Sequence, residues 1–308
     1  MNIILSLTSI PVRFEHPSFH AHLVQLYQSM DTYWWDGEKN TPPCFLLLLL
    51  TINERYRRFP TFQLTDAHRS RFRQWENESN HRLKIHTTVH DDGPLGKVLG
   101  ALEYYYDDPK TMMEDDTSVI IISLDDDCHY DMASLLRYHQ EAYQSDPALE
   151  TCFVSQENIL TFHPLRFACE RGLQCTADHG EAVRYYGWLT YSFRYVSSSS
   201  KNPWKQWKTF LQWALEKVDS RLFYHDDAVV TAFVHFSQMR SRSLCFNPFD
   251  LTNHSSFLCG LLDHESPLHH LFDSKTDQCR HYLLNTLLKV LPQKKELLCF
   301  SPPRPKTI

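Results

Sequence analysis

Four short apolar runs punctuate the first 124 positions: residues 2–7 (NIILSL), 44–51 (CFLLLLLT), 82–89 (RLKIHTTV) and 118–124 (SVIIISL). Each is bounded by polar sequence and too short for a typical helix, so each reads as a strand. These runs are continuously apolar rather than alternating, which belongs to a parallel sheet covered on both faces. The segments between them supply the cover. Phe19, Leu23, Leu26 and Met30 recur at helical spacing. Residues 90–109 begin as a loop and become a helix that opens near Pro94 and closes before Pro109. Residues 132–144 (MASLLRYHQEAYQ) read as another helix. TSIPVR after the first run reads as a loop, and an Arg- and Pro-containing polar stretch follows the second. The pattern predicts an α/β fold with a mostly parallel, Rossmann-type sheet and helices on both faces. In such sheets ligands bind beyond the carboxyl ends of the strands.

The second half is less regular. Residues 152–155 (CFVS) read as a strand, and 185–196 (YYGWLTYSFRYV) are aromatic with one glycine. Residues 202–218 predict a helix with Asn202 as cap and Pro203 in its first turn. Its apolar stripe is Trp204, Trp207, Leu211, Ala214 and Val218. Residues 225–236 (HDDAVVTAFVHF) predict a helix with Asp226 and Asp227 in its first turn, and 281–291 (HYLLNTLLKVL) a C-terminal helix.

The fourth run ends in Asp125, Asp126 and Asp127. Adjacent carboxylates repel, and each loses hydration on burial, so something should repay the cost. Alternation along a strand lets Asp125 and Asp127 point the same way and share one hard cation. Mg²⁺ or Mn²⁺ takes oxygen ligands and completes its shell with substrate phosphates. A solvated acidic turn is the bland reading, and the apolar run before the triplet favours a site over it. Asp226 and Asp227 serve as helix capping on their own, worth about 0.3–1 kcal/mol. Beside a metal-diphosphate site, one of them supplies the carboxylate that takes a proton. Asp91, Asp92, Gly93 and Lys97 mark a loop-to-helix entry whose N–H groups and lysine can hold an anion. The segment DDGPLGK is not a Walker A loop.

Composition narrows the classes. The chain has 308 residues, 42% of them hydrophobic, enough for a sizeable core. The net charge of −6 argues against broad nucleic-acid or anionic-membrane binding. The longest apolar run is far short of the roughly 20 residues a membrane span needs. The N-terminus lacks the pattern of a signal peptide. Nine cysteines without a C-x-x-C pair fit a reducing cytosol better than a zinc ribbon or a disulfide framework. HESPLH at 264–269 has one residue too many for a zincin motif. His16, His20 and His22 read as an exposed helix face, the Arg- and aromatic-rich segments at 54–75 as a solvated face with a few core aromatics, and Cys128 as a buried thiol. The two sequons, at Asn77 and Asn253, mean little without a secretory signal. The tail, 296–308, reads as flexible.

Four segments in order resemble one family: SLTSIPVR (6–13), DDGPLGKVLGALEYY (91–105), VIIISLDDDCHYD (119–131) and YHDDAVVTAFV (224–234). They are similar to a group of GT-A-fold glycosyltransferases, related to the large inverting family, known from bacteria and from large DNA viruses of algae. The resemblance covers roughly residues 1–236. It implies a single domain over 1–295, with a nucleotide-binding half at about 1–130 and an acceptor half at about 131–295. It implies a nucleotide-sugar donor, most simply a UDP sugar, a glycan or other hydroxyl acceptor, and Mn²⁺ or Mg²⁺. Carried over by motif, Thr8, Ser9, Pro11 and Arg13 frame base and ribose, and Asp92 and Lys97 lie near the nucleotide or its diphosphate. Asp125 and Asp126 belong to the donor site, Asp125 approaching ribose or metal, and Asp127 is the main metal ligand. Asp226 and Asp227 include the catalytic base, with Asp227 favoured. The implied location is cytoplasmic, the host cytoplasm if the source is viral. A metal-dependent phosphohydrolase and a non-catalytic sugar-nucleotide or glycan-binding module are the rivals. Cys128 and His129 after the triplet depart from the aspartyl-phosphatase start D-x-D-G-[TV].

Overall fold

A computed structural model describes residues 2–34, 45–107, 118–155, 190–196, 203–249, 283–284 and 286–290. Its strands are β1 (Asn2–Thr8), β2 (Phe45–Asn53), β3 (Leu83–Thr88), β4 (Ser118–Ser123), β5 (Thr151–Ser155), β6 (Thr190–Val196) and β7 (Ser241–Cys245). They form one sheet in the order β3-β2-β1-β4-β6-β5-β7. The four apolar runs are its parallel half. Beyond them β6 runs antiparallel to β4 and β5, and β5 and β7 pair in parallel. The sheet is therefore mixed and mostly parallel.

The helices are α1 (Pro11–Phe14), α2 (Pro17–Trp34), α3 (Asp66–Glu78), α4 (Gly96–Asp107), α5 (Met132–Ser145), α6 (Pro203–Lys217) and α7 (Asp226–Phe236). They cover both faces. Ile3, Leu5 and Leu7 of β1, with Leu48, Leu50, Ile120 and Ile122, pack in one layer with side chains of α2, α3 and α5. Ile4, Leu47, Leu49, Val119 and Ile121 pack in the other with α4, α6 and α7. At about 1.5–3 kcal/mol for each fully buried aliphatic side chain, these layers hold the strand ends rigidly. None of the described helices is long and apolar enough to cross a membrane.

Several expectations change. TSIPVR is not only a loop: Thr8 ends β1, and Pro11 opens α1, where its fixed φ suits a first turn. A four-residue helix carries no periodicity to read. Helix α3 lies in the polar stretch after β2. Only Phe72 and Trp75 of its thirteen residues are buried, too thin a stripe to announce a helix. Its start is fixed by a cap in which the Thr65 hydroxyl accepts from the His68 N–H, while His68 Nδ1 accepts from the Thr65 N–H. Strand β7, SRSLC, is held by its pairing with β5 rather than by an apolar run. In α6, Trp207, Leu211 and Ala214 are buried as expected. Phe210 and Trp213 join them, while Trp204 is only partly buried. His22 is not exposed. It is 2% accessible on α2 and faces the ring of His129 at 4.9 Å. Burial, reinforced by His129, lowers its pKa to about 4. Asn202, the aromatic stretch at 185–189, the segments at 253–255 and 264–269, and the tail lie outside the described residues.

Candidate functional site

The strand order reverses between β1 and β4: β2 and β3 lie on one side of β1, and β4 lies on the other. A crevice at the carboxyl ends of strands opens at such a reversal. There the Leu124 N–H still donates to the Ser6 carbonyl at 2.8 Å. The acidic triplet thus begins level with the end of β1.

The segments that meet at this point are those singled out in the sequence. Thr8 ends β1, and its hydroxyl donates to the Thr51 carbonyl at 3.1 Å. A Cβ on Gly96 would lie 3.2 Å from that hydroxyl, so α4 starts in contact with the β1 end. Ser9 is buried, and its carbonyl accepts from Tyr56 at 2.9 Å. Pro11 and Arg13 follow on α1.

The strand stops at Ser123, so the triplet leaves it and turns, and strict alternation does not apply. Asp126 and Asp127 both face Arg13. Asp126 is ion-paired to Nη1, and Asp127 lies 3.1 Å from Nη2. Asp125 goes to Lys97, which donates to its Oδ1 at 2.7 Å. The Asp125 N–H donates to Tyr130 Oη at 2.8 Å, which anchors the turn. Burial, only partly offset by Arg13, pushes Asp126 up to about 6, with repulsion from Asp127 adding. Asp125, whose side chain is only half-buried, is raised as well, the burial of its inner part and repulsion from Asp127 outweighing Lys97.

Lys97 sits in the first turn of α4 and is 8% accessible. Burial alone would lower its pKa, but Asp125 and Asp226 outweigh it and hold the pKa well above the usual value. Its ammonium reaches Asp226 at 3.0 Å, so it bridges the strand-end turn and the first turn of α7. Tyr191 on β6 donates to Asp226 Oδ2 at 3.0 Å. Burial keeps that phenol protonated. Asp227 follows in the same helical turn.

Asp92 lies at the edge of this group, 2.5 Å from Lys208 on α6. Its neighbour Asp91 accepts from the Arg57 and Gly93 N–H groups and from Asn53 Nδ2, which shapes the loop before α4. Gly93 is required there. Its φ is +61°, and a Cβ would stand 2.4 Å from the Phe223 carbonyl. That close approach docks the 220–224 turn, which leads directly into α7.

The structure thus gathers Thr8, Ser9, Pro11, Arg13, Lys97, Asp125, Asp126, Asp127, Asp226 and Asp227 at one end of the sheet and leaves Asp92 beside Lys208. Sequence reasoning missed Tyr191 and Lys208, whose roles exist only through long-range packing, and Tyr130, which acts within its own turn five residues from Asp125. An aromatic residue two places into β6 carries no local sign that it meets an aspartate 35 positions away.

Among the described residues, no group of three or more His, Cys, Asp or Glu side chains is gathered to hold a metal by itself. Asp125, Asp126, Asp127 and Asp226 face Arg13 and Lys97, leaving these six side chains with a net charge of about −2. Hard oxygen donors in charge excess fit a divalent cation that draws its other ligands from phosphate and water.

No family model and no curated protein matches the chain. Among solved structures, it is similar to CMP:2-keto-3-deoxy-manno-octonic acid synthetase complexed with CTP, at 9% identity and TM-score 0.41, over 80% of this chain and 90% of that one. It is also similar to glucosyl-3-phosphoglycerate synthase from Mycobacterium tuberculosis in complex with Mg²⁺ and UDP. There the identity is 9% and the TM-score 0.38, over 81% of this chain and 70% of that one. Mouse xyloside xylosyltransferase 1 in its apo form gives 11% identity and TM-score 0.37, over 79% and 84%.

Proposed function

We propose that this chain is a glycosyltransferase of the GT-A type that moves a sugar from a nucleotide sugar, most simply a UDP sugar, to a hydroxyl acceptor with inversion. One observation carries the reading. At the reversal between β1 and β4, where an α/β sheet binds ligands, a rigid strand end presents carboxylates whose charge exceeds that of Arg13 and Lys97. The resemblance of the four sequence segments supports the same assignment.

In this reading the donor lies across the ends of β1 and β4, in the half at about 1–130. Thr8, Ser9 and Pro11 line the side of the base and ribose. Asp127 and Asp125 would hold Mn²⁺ or Mg²⁺, which when bound stabilises the negative charge on the leaving diphosphate. Lys97, buried and charged, offsets part of the burial that raises Asp125 and ties it to α7 through Asp226. The acceptor comes from the side of α7, in the half at about 131–295. Asp226 is committed to Lys97 and Tyr191, so its carboxylate serves to position the helix start. Asp227, in the same turn, takes the proton from the acceptor hydroxyl as that oxygen attacks C1 opposite the diphosphate. Asp227 stands in the first turn of α7, where helical N–H groups favour a carboxylate, and positioning supplies much of its effect. Nine cysteines without a C-x-x-C pair support a cytosolic location.

The test is release of UDP from a panel of UDP sugars in Mn²⁺ and in EDTA. Release from at least one sugar that depends on Mn²⁺ is expected. Binding of UDP sugars without turnover, with or without acceptor glycans, would leave a binding module instead.

A further inference from the structure

The resemblance assigns Arg13 to the base and ribose, yet its guanidinium lies across two carboxylates of the acidic turn. Nη1 pairs with Asp126, and Nη2 lies 3.1 Å from Asp127 Oδ2. The three side chains are only 15%, 7% and 13% accessible, so the contact is largely withdrawn from water. A planar guanidinium fork satisfies adjacent carboxylates with charge and donors at the oxygens where a hard cation would bind. The same fork also matches a phosphate.

We infer that Arg13 is a resident counter-ion of the cation site: it holds Asp126 and Asp127 before the substrate arrives, then releases Asp127 and turns to the donor's diphosphate. The inference rests on the nucleotide-sugar reading and goes beyond it by giving the order of charge exchange. Without nucleotide, a cation has to displace the guanidinium from Asp127 and take away one of its two counter-charges, which is costly in a largely buried contact. Without a cation, a diphosphate meets carboxylates in excess. When both arrive, Arg13 exchanges one anion for another and no buried charge is left alone. Cation and nucleotide therefore strengthen each other's binding, and linkage requires the same factor in both directions. A plain structural tie between α1 and the turn predicts no such exchange.

The test is calorimetry of the full chain. Mn²⁺ is titrated with and without saturating UDP, and UDP with and without Mn²⁺. In wild type each ligand should raise the other's affinity by one shared factor of about 5–150. Arg13→Gln should bind Mn²⁺ alone about tenfold more tightly, and UDP should add less to it. Two results would overturn the inference: equal Mn²⁺ affinity with and without UDP in wild type, or an Arg13→Gln protein that melts earlier while its Mn²⁺ affinity stays unchanged. If Arg13→Gln does not fold, Arg13→Lys keeps the charge but loses the fork and should lose part of the coupling; coupling and Mn²⁺ affinity equal to wild type in Arg13→Lys would then overturn the inference. If UDP fails to bind wild type under any condition, the nucleotide-sugar reading falls. Tighter Mn²⁺ binding by Arg13→Gln would then still show a resident counter-ion.

Discussion

Two acidic segments meet at one end of the sheet, and they are built in different ways. After β4, three consecutive aspartates turn away from a strand that has already ended. Burial and mutual repulsion raise Asp125, and push Asp126 up to about 6, despite Lys97 and Arg13 beside them. At the start of α7, Asp226 and Asp227 stand where unpaired helical N–H groups favour a carboxylate. Asp226 also receives Lys97 and the Tyr191 phenol. One segment gains by taking on positive charge, and the other is held in place by Lys97, Tyr191 and the helix start. In the proposed function the first segment would hold a divalent cation, and the second would position the helix start and take a proton.

The sharpest way to separate the segments is to neutralise one acid in each. Asp227→Asn should lower transfer by about 10²–10⁴-fold while UDP and Mn²⁺ affinities, measured by calorimetry, stay as in wild type. A matching fall in UDP affinity would erase the distinction. Loss of transfer in Asp226→Asn alone would exchange the two roles. Asp127→Asn should do the opposite, weakening Mn²⁺ binding by about 10–100-fold or more while the fold persists. An unfolded Asp127→Asn protein would make the triplet structural.

Lys97 joins the two segments, so removing its charge tests whether they depend on each other. Lys97→Met leaves Asp226, whose side chain is 13% accessible, without its cation. The expected loss in urea denaturation is about 3 kcal/mol, at the lower end for a broken buried pair because Asp125 is 45% exposed. An unchanged midpoint would show that Lys97 does not join them.

The last effect is a pH dependence of similar size. The folded pKa of Asp126 lies above its ordinary value, so the folded state binds the proton more tightly than the unfolded chain does. This contribution is fully present below about pH 4 and is lost as pH rises through about 6, a change of about 3 kcal/mol. The stability of wild type relative to Asp126→Asn should fall across that window and stay level above it. A difference that is flat from pH 4 to 8 would show that the turn carries no such penalty.

Much of this was legible in the sequence because the relevant signals are local. Runs such as FLLLLL and VIII state their strands outright, since a two-face-buried strand has no polar positions to blur it. Asp226 and Asp227 sit in a first turn as the helical pattern implied. What stayed hidden is what topology supplies. Arg13 and Asp126 are 113 positions apart and meet only because β1 and β4 are neighbours. Tyr191 reaches Asp226 because β6 runs antiparallel beside β4, and no residue near Tyr191 announces that direction. The alternation argument for Asp125 and Asp127 failed because the strand ends at Ser123. Helix α3 was hidden because its apolar stripe is only two residues deep.

The central claim is that the strand-end turn binds a nucleoside diphosphate through a divalent cation. Calorimetric titration of UDP into wild type, first in Mn²⁺ and then in EDTA, tests it most directly, with Asp127→Asn as the control. Tight binding is expected only in Mn²⁺ and only in wild type. Equal affinity in Mn²⁺ and EDTA, or an Mn²⁺-dependent gain that survives in Asp127→Asn, would contradict it.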